Sequence, residues 1–272
     1  MVEKGIHHVH LNHLVDQIDF NNTDFIFSCL PHAELQSNFS KLPNNIKLID
    51  LSADFRLKDS QDYNKWYGFT HKHPKKLNEF IYGLTEFYRE KIKAANYIAN
   101  PGCYPTSILM PLIPLLRNKI ISGDNIIIDS KSGYSGAGKS KKTENIFAEV
   151  NENIKSYGIG DHRHTAEINQ ELSNFSDDLV NVFFSANLIP VNRGILSNIY
   201  INFDANKQNE IYECLEDTFA KEEFVNLLPI NEVPSTREVI GSNKLSIGVK
   251  RGYKDDLLLS LIHISEPTRP RE

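Results

Sequence analysis

Cys103 stands in the octet Asn100-Pro-Gly-Cys-Tyr-Pro-Thr-Ser107, between an apolar stretch (Tyr97, Ile98, Ala99) and a helix-length apolar segment, Ile108 to Leu116. That order puts the thiol where a strand ends and a helix begins. Unpaired backbone N–H groups and the positive end of the helix dipole favour a thiolate there. A thiolate so placed is a covalent nucleophile. A free cysteine in a Pro/Gly turn is also an ordinary small hydrophobe, so the octet alone leaves both readings open.

Two further segments carry chemistry. Asp161-His-Arg-His-Thr-Ala-Glu167 follows Gly158 and Gly160. Two histidines and an arginine beside an acid can supply a general base and an anion clamp. His164 and Glu167, three apart, share one face of a helix. A His-x-His plus Glu metal site is an alternative that lacks a third ligand cluster. A solvated helix N-terminus is the bland one. Gly133-Tyr-Ser-Gly-Ala-Gly-Lys-Ser140 formally matches GxxxxGK[ST] and follows an apolar run ending at Asp129. A P-loop needs a helix opening at the lysine and a later apolar strand ending in Asp. Here the opening is polar (Lys139-Ser-Lys-Lys142), and Asp129-Ser-Lys-Ser132 separates strand from loop. The same composition suits a glycine-rich turn whose amides cradle another anion, with Lys139 as a point charge. His7, His8, His10 and His13 cluster at the start, as on a solvated surface rather than a metal site.

The elements that must position these groups alternate between α and β. Strands are expected at Asp24–Leu30, Ile46–Leu51, Tyr97–Ala99 and Asn125–Asp129, and helices at Ala33–Ser40, Asp59–Tyr67 and Thr106–Asn118. Later come a helix at His164–Ser173, longer strands at Asn181–Ile189 and Ser197–Phe203, an amphipathic helix at Asn206–Lys221, and strands at Lys244–Lys250 and Asp256–Leu261. Short βα units followed by longer strands imply a nucleotide-binding half joined to an α+β half near residue 103. The net charge of −5 carries no block of like charges, which argues against nucleic acid and anionic membranes. Three widely spaced cysteines without CxxC argue against a disulfide framework or structural zinc. No run of 18 apolar residues or signal-like start is present, so a cytoplasmic protein is expected.

Six segments in order resemble the N-acetyl-γ-glutamyl-phosphate reductase family. They are Phe27-Ser-Cys-Leu-Pro-His32, Asp50-Leu-Ser-Ala-Asp-Phe-Arg56, Tyr82-Gly-Leu-Thr-Glu86, the octet 100–107, Ser132-Gly-Tyr-Ser-Gly-Ala-Gly-Lys139 and His162-Arg-His-Thr-Ala-Glu167. The resemblance implies an α/β fold with a partial Rossmann NADP-binding domain over 1–102. An α+β catalytic and dimerisation domain with a mixed, glyceraldehyde-3-phosphate-dehydrogenase-like sheet would follow over 103–259. It implies NADPH-dependent reduction of an acyl phosphate to the semialdehyde in arginine biosynthesis, by a homo-oligomer. Cys103 would be the nucleophile that forms the thioester, and His162 the acid/base. Arg163, His164, Glu167, Asn100 and Lys139 would bind substrate. Pro31, His32, Ser52, Ser135, Gly136 and Gly138 would bind the cofactor, with no metal. A lysine-pathway or aspartate-semialdehyde relative, a catalytically impaired fragment and a P-loop nucleotide hydrolase are the alternatives.

Three departures stand out. Family members carry arginine where Lys139 stands, so a bidentate anion contact becomes a single ammonium contact. They also open with a strand and a Gly-rich pyrophosphate turn, for which nothing before residue 20 qualifies. Ser260–Glu272 matches nothing in the family pattern and is expected to be a foreign tail.

Overall fold

Four short apolar segments of the first hundred residues become one parallel sheet. The computed structural model describes residues 18–137, 151–202, 207–252 and 256–263. The chain divides into two compact units, Met1–Gly102 and Cys103–Glu272. The early histidines, Gly138, Lys139 and the end of the chain beyond His263 lie outside the described residues.

The first unit runs β1 (Phe25–Ser28), α1 (Glu34–Asn38), β2 (Lys47–Asp50), α2 (Ser60–Tyr67), β3 (Phe80–Tyr82), α3 (Thr85–Ala94) and β4 (Tyr97–Ala99). Its strands pair in the order β1-β2-β4-β3, all parallel. Such a sheet offers its carboxyl-terminal edge to a nucleotide. Helix α2 shows its start and stop in sequence: the Asp59 side chain accepts from the Gln61 N–H, and Gly68 ends it at φ +74°. The helix expected over 33–40 is shorter. Ser37 Oγ and Asn38 Nδ2 donate to the carbonyls of Ala33 and Glu34, and a 3₁₀ turn, Phe39–Lys41, follows. Phe39, Phe55, Phe80 and Tyr97 form an aromatic core in which Phe55 and Phe80 stack at 3.9 Å between centroids.

Asp54 caps the short α1 from a distant loop. Its two carboxylate oxygens accept from Ala33 N (2.6 Å) and Gln36 N (3.0 Å), and the cap holds Ala33 in the left-handed region at φ +72°. Burial pushes its carboxyl above the usual range, against the pull of those amides. Asp54→Ala should strand both donors and cost about 2–4 kcal/mol, with Asp54→Asn costing less because one acceptor survives. Urea unfolding of the two variants checks this.

The second unit contains α4 (Cys103–Arg117), β5 (Ile127–Gly133), β6 (Lys155–Tyr157), α5 (His164–Ser173), β7 (Phe183–Ile189), β8 (Ile195–Asn202), α6 (Gln208–Phe219), β9 (Val225–Leu227), β10 (Leu245–Arg251) and β11 (Asp256–His263). Its mixed sheet has the order β6-β7-β5-β8-β11-β10-β9. Helix α4, apolar nearly all round, packs on α5, α6, β8 and β11. Among the described residues no helix is long and apolar enough to cross a membrane.

Three expectations are corrected. Helix α4 begins at Cys103 rather than Thr106, because Pro105 falls in the first turn, where no N–H is needed. Strand β5 runs on through Ser130-Lys-Ser132 to Gly133, so nothing separates strand from loop. The polar residues of the strand are satisfied: Ser130 Oγ bonds Ser197 Oγ at 2.7 Å, and Lys131 pairs with Asp129. Strand β11 takes in Ser260–His263, four residues assigned above to the tail. Ser260 Oγ bonds Asn198 there, and Leu261 and Ile262 are buried.

Candidate active site

The two units each carry part of the expected machinery. In the first, the loops leaving β1, β2 and β4 hold the Cys29–Ala33, Leu51–Asp54 and Asn100–Gly102 segments. Pro31 and His32 are exposed on the loop after β1, as a nucleotide at the carboxyl edge requires. The His32 Nδ1 accepts from Ala53 N at 3.2 Å, and its ring meets Tyr67 edge-on. Ser52 behaves otherwise. It is only 3 % exposed, its N–H and hydroxyl both donate to Asp50, and its oxygen accepts from Asp54 N. These bonds brace the loop after β2. Burial lifts the Asp50 carboxyl to about 6. Asn100 is likewise fastened: its carbonyl accepts from Arg56 Nε at 2.7 Å, its N–H donates to the Asp50 carbonyl, and its amide donates to Pro101 O. Arg56 also donates to Leu51 O, so one guanidinium ties two strand-end loops together.

In the second unit, Cys103 opens α4, as the octet implies. Tyr104, next on the helix, is buried in a ring cluster. His162 lies 5.5 Å, His164 5.8 Å and Phe184 5.3 Å from it between centroids, all edge-on. The two histidine rings lie 4.9 Å apart. The spacing of 162 and 164 therefore does bring both to the cysteine-bearing turn. Strand β6 adds a residue that sequence reasoning missed. Tyr157 pairs with Ala186 of β7, sets its ring 5.6 Å from His162, and joins its hydroxyl to that of Tyr104 at 2.8 Å. Burial raises both phenols above their usual range, so both stay protonated.

His162 is shaped by its surroundings. Burial first, then the Arg163 charge, depress its pKa to about 4, with Asp161 opposing. It is neutral at pH 7. Its Nδ1 accepts from the His164 N–H at 3.1 Å, so the ring hydrogen sits on Nε2. Room for the ring comes from Gly158, at φ +61°, where an added Cβ would meet His162 Cδ2 at 2.8 Å.

Arg163 is exposed at the start of α5. Glu167, one turn further along α5, is fully buried at 0 % exposure. The loop after β5 is tied back into the fold. The N–H groups of Gly133, Tyr134 and Ser135 donate to the carbonyls of Gly194, Val191 and Asn192, and Ser135 Oγ donates to Asn192 O as well. Those three amides and the Ser135 hydroxyl are thus engaged within the fold, and Gly138 to Ser140 lie outside the described residues. Gly136 is exposed, its Cα facing the Ser132 hydroxyl. Among the described residues no group of three or more His, Cys, Asp or Glu side chains is arranged to hold a metal.

A parallel nucleotide-type sheet and a mixed sheet with a helix-terminal thiol define the class of the semialdehyde dehydrogenases. The model of their NAD binding domain matches residues 2–95, and that of their dimerisation domain residues 103–263. The chain belongs to the N-acetyl-γ-glutamyl-phosphate reductase family. It is 47 % identical over 230 residues to an Oryza sativa subsp. japonica protein named "Probable N-acetyl-gamma-glutamyl-phosphate reductase, chloroplastic", covering 84 % of this chain and 55 % of the relative. It is 45 % identical over 240 residues to the N-acetyl-gamma-glutamyl-phosphate reductase of Ehrlichia canis (strain Jake), covering 87 % and 68 %. The chain thus spans just over half the length of its plant relatives. Among solved structures, aspartate semialdehyde dehydrogenase II from Vibrio cholerae superposes with a TM-score of 0.68 at 15 % identity, over 92 % of this chain and 77 % of that one. Aspartate semialdehyde dehydrogenase with NADP from Candida albicans gives 0.59 at 14 %, over 90 % and 73 %. At those identities the likeness is one of fold.

Proposed function

We propose that this chain carries the acyl-transfer chemistry of an NADPH-dependent reductase that converts N-acetyl-γ-glutamyl phosphate to the semialdehyde and phosphate. The observation that carries the reading is the placement of Cys103 at the start of α4, with His162 packed edge-on against the adjacent Tyr104, in a chain of this family. The Cys103 thiolate attacks the acyl carbon, phosphate leaves, and a thioester results. Bound nicotinamide supplies the hydride when the cofactor is present, and Pro31 and His32 are the exposed loop residues suited to holding it. Hydride addition gives a thiohemiacetal oxyanion, which collapses to the aldehyde and returns sulfur as thiolate. Sulfur enters and leaves as an anion, so His162 need not shuttle a proton. Its Nε2–H, with a neutral ring behind it, is suited to hydrogen-bonding the carbonyl oxygen as charge develops. This role is narrower than the acid/base one expected from sequence. Arg163 is the exposed cation for substrate anions.

The reading includes NADP as the cofactor, a homo-oligomer and a cytoplasmic location. Ile127, Phe183 and Tyr200, exposed cross-strand neighbours, support self-association, and three free thiols suit a reducing compartment. The test runs the reaction in reverse. NADP reduction by N-acetylglutamate semialdehyde should require inorganic phosphate and stop on thiol alkylation. Turnover that needs no phosphate, or survives complete alkylation of Cys103, would sink the reading.

A further inference from the structure

We propose that Arg56 and Gly83 are positioning residues, which fix the Asn100-Pro-Gly102 turn leading into the Cys103 nucleophile. Their role rests on the thiol reading above and deepens it. Both stand in segments of the family pattern, 50–56 and 82–86, to which the acyl-transfer steps assign no part.

The residue before α4 is Gly102, which has no side chain to cap the helix, and Pro101 before it has no N–H to bond. The turn is fixed by residues far along the chain. Arg56 Nε donates to the Asn100 carbonyl at 2.7 Å and its Nη2 to the Leu51 carbonyl at 3.0 Å, so one planar fork joins the ends of β2 and β4. The Asn100 N–H donates to the Asp50 carbonyl at 2.8 Å, which leaves both backbone groups of Asn100 held. Gly83 bounds the next residue. Its N–H donates to Ala99 O at 2.8 Å, and a Cβ there would lie 3.2 Å from Pro101 Cδ and 2.9 Å from Ile98 Cγ2. Pro101 and Gly102 are buried between these neighbours. Arg56 is itself only 6 % exposed. Taking a guanidinium out of water is costly, and a space that needed only filling would hold a hydrocarbon. A hydrocarbon cannot hold two carbonyls on two loops at once. Asn100 lies three residues ahead of Cys103, and the locked φ of Pro101 carries any shift of its carbonyl toward the sulfur-bearing residue.

The experiment compares Arg56→Lys, Gly83→Ala and Gly123→Ala in the full chain. Lysine keeps the positive charge but offers a point donor on a flexible stem, which cannot span both carbonyls. Alanine at 83 presses on Pro101 and leaves every charge in place. Gly123→Ala is the control: its Cβ would meet Val180 Cγ2 at 2.6 Å, beyond the far end of α4. The first readout is the pH midpoint of Cys103 alkylation by iodoacetamide, followed at its peptide by mass spectrometry. A midpoint, unlike a rate, does not change with access to the sulfur. A thiol held at the start of a helix is favoured as thiolate, so Arg56→Lys and Gly83→Ala should each raise the midpoint by about half a pH unit. The second readout is the phosphate-dependent reverse reaction. There kcat should fall about tenfold in both variants, with the semialdehyde KM within about twofold. Gly123→Ala should match the wild type throughout. An unchanged midpoint or an unchanged kcat in either folded variant overturns the proposal, and so does Gly123→Ala shifting as far as the other two. Should Arg56→Lys fail to fold, Gly83→Ala decides alone. A wild-type chain that reduces no acyl phosphate overturns the proposed function instead, and the midpoints, which need no substrate, still decide on Arg56 and Gly83.

Discussion

Cys103→Ala should abolish phosphate-dependent turnover, lowering kcat/KM by at least about 10⁴-fold while leaving NADPH affinity within about twofold. The size follows from the chemistry. A thioester can form only on sulfur, and neither other thiol can substitute. Cys29 is exposed in the first unit at the end of β1. Cys214 lies on α6, bonded to Asn118 and the Pro114 carbonyl, and burial pushes its thiol up. Cys103→Ser retains a hydroxyl, but one that is scarcely ionised at neutral pH, so it should fall nearly as far. The side chain is only half-buried, and its loss removes little apolar area, so the melting temperature should hold. Steady-state rates, NADPH fluorescence titration and thermal unfolding on the same preparation separate these quantities. A variant that keeps more than about one part in a hundred of its activity would mean that Cys103 is a turn residue after all.

How much of this was visible in the chain depends on how local the cause is. The position of Cys103 is set by its immediate neighbours: a strand before it, Pro105 in the first helical turn, an apolar run after it. The same holds for His162 and His164, two residues apart before a helix. Tyr157 has no such signature. Three residues of strand have no period, and its place depends on a pairing with Ala186, 29 residues on. The hint available was its position one residue ahead of Gly158, in a segment whose glycines already marked a turn. The 133–135 loop shows the converse. Its glycines look built for an anion, but the carbonyls that take its amides come from residues 191–194. Nor could the sequence show that Ser52 and Glu167 are buried and that Ser52 bonds Asp50, because a polar residue that satisfies the fold reads like one that faces a ligand. In the first unit, β3 and α3 were passed over because β3 is three residues long and α3 has no buried residue.

Strain and space at one glycine make the last test the sharpest. Gly158→Ala should lower kcat/KM about 10²-fold, while Gly160→Ala, two residues away, leaves it within a few-fold. Both glycines sit at positive φ, +61° and +82°, so both substitutions carry the left-handed backbone cost of about 1–2 kcal/mol. Only one meets an obstacle. At Gly160 a new Cβ has nothing within 4 Å, whereas at Gly158 it falls 2.8 Å from His162 Cδ2 and 2.9 Å from its Cβ. Those atoms cannot yield by a simple rotamer change. The His162 Cβ is fixed by its backbone, whose N–H donates to the Gly158 carbonyl at 3.0 Å, and the ring is held at Nδ1 by the His164 amide. The turn must open and carry the ring away from Tyr104 and Tyr157, and a displacement of about 1 Å at a catalytic group is enough for a loss of that order. The pair also isolates His162 without touching it. Equal melting losses with unequal rate losses assign the difference to ring position, and Gly160→Ala losing as much activity as Gly158→Ala would instead make the whole 158–160 turn, rather than the histidine it seats, the element that catalysis requires.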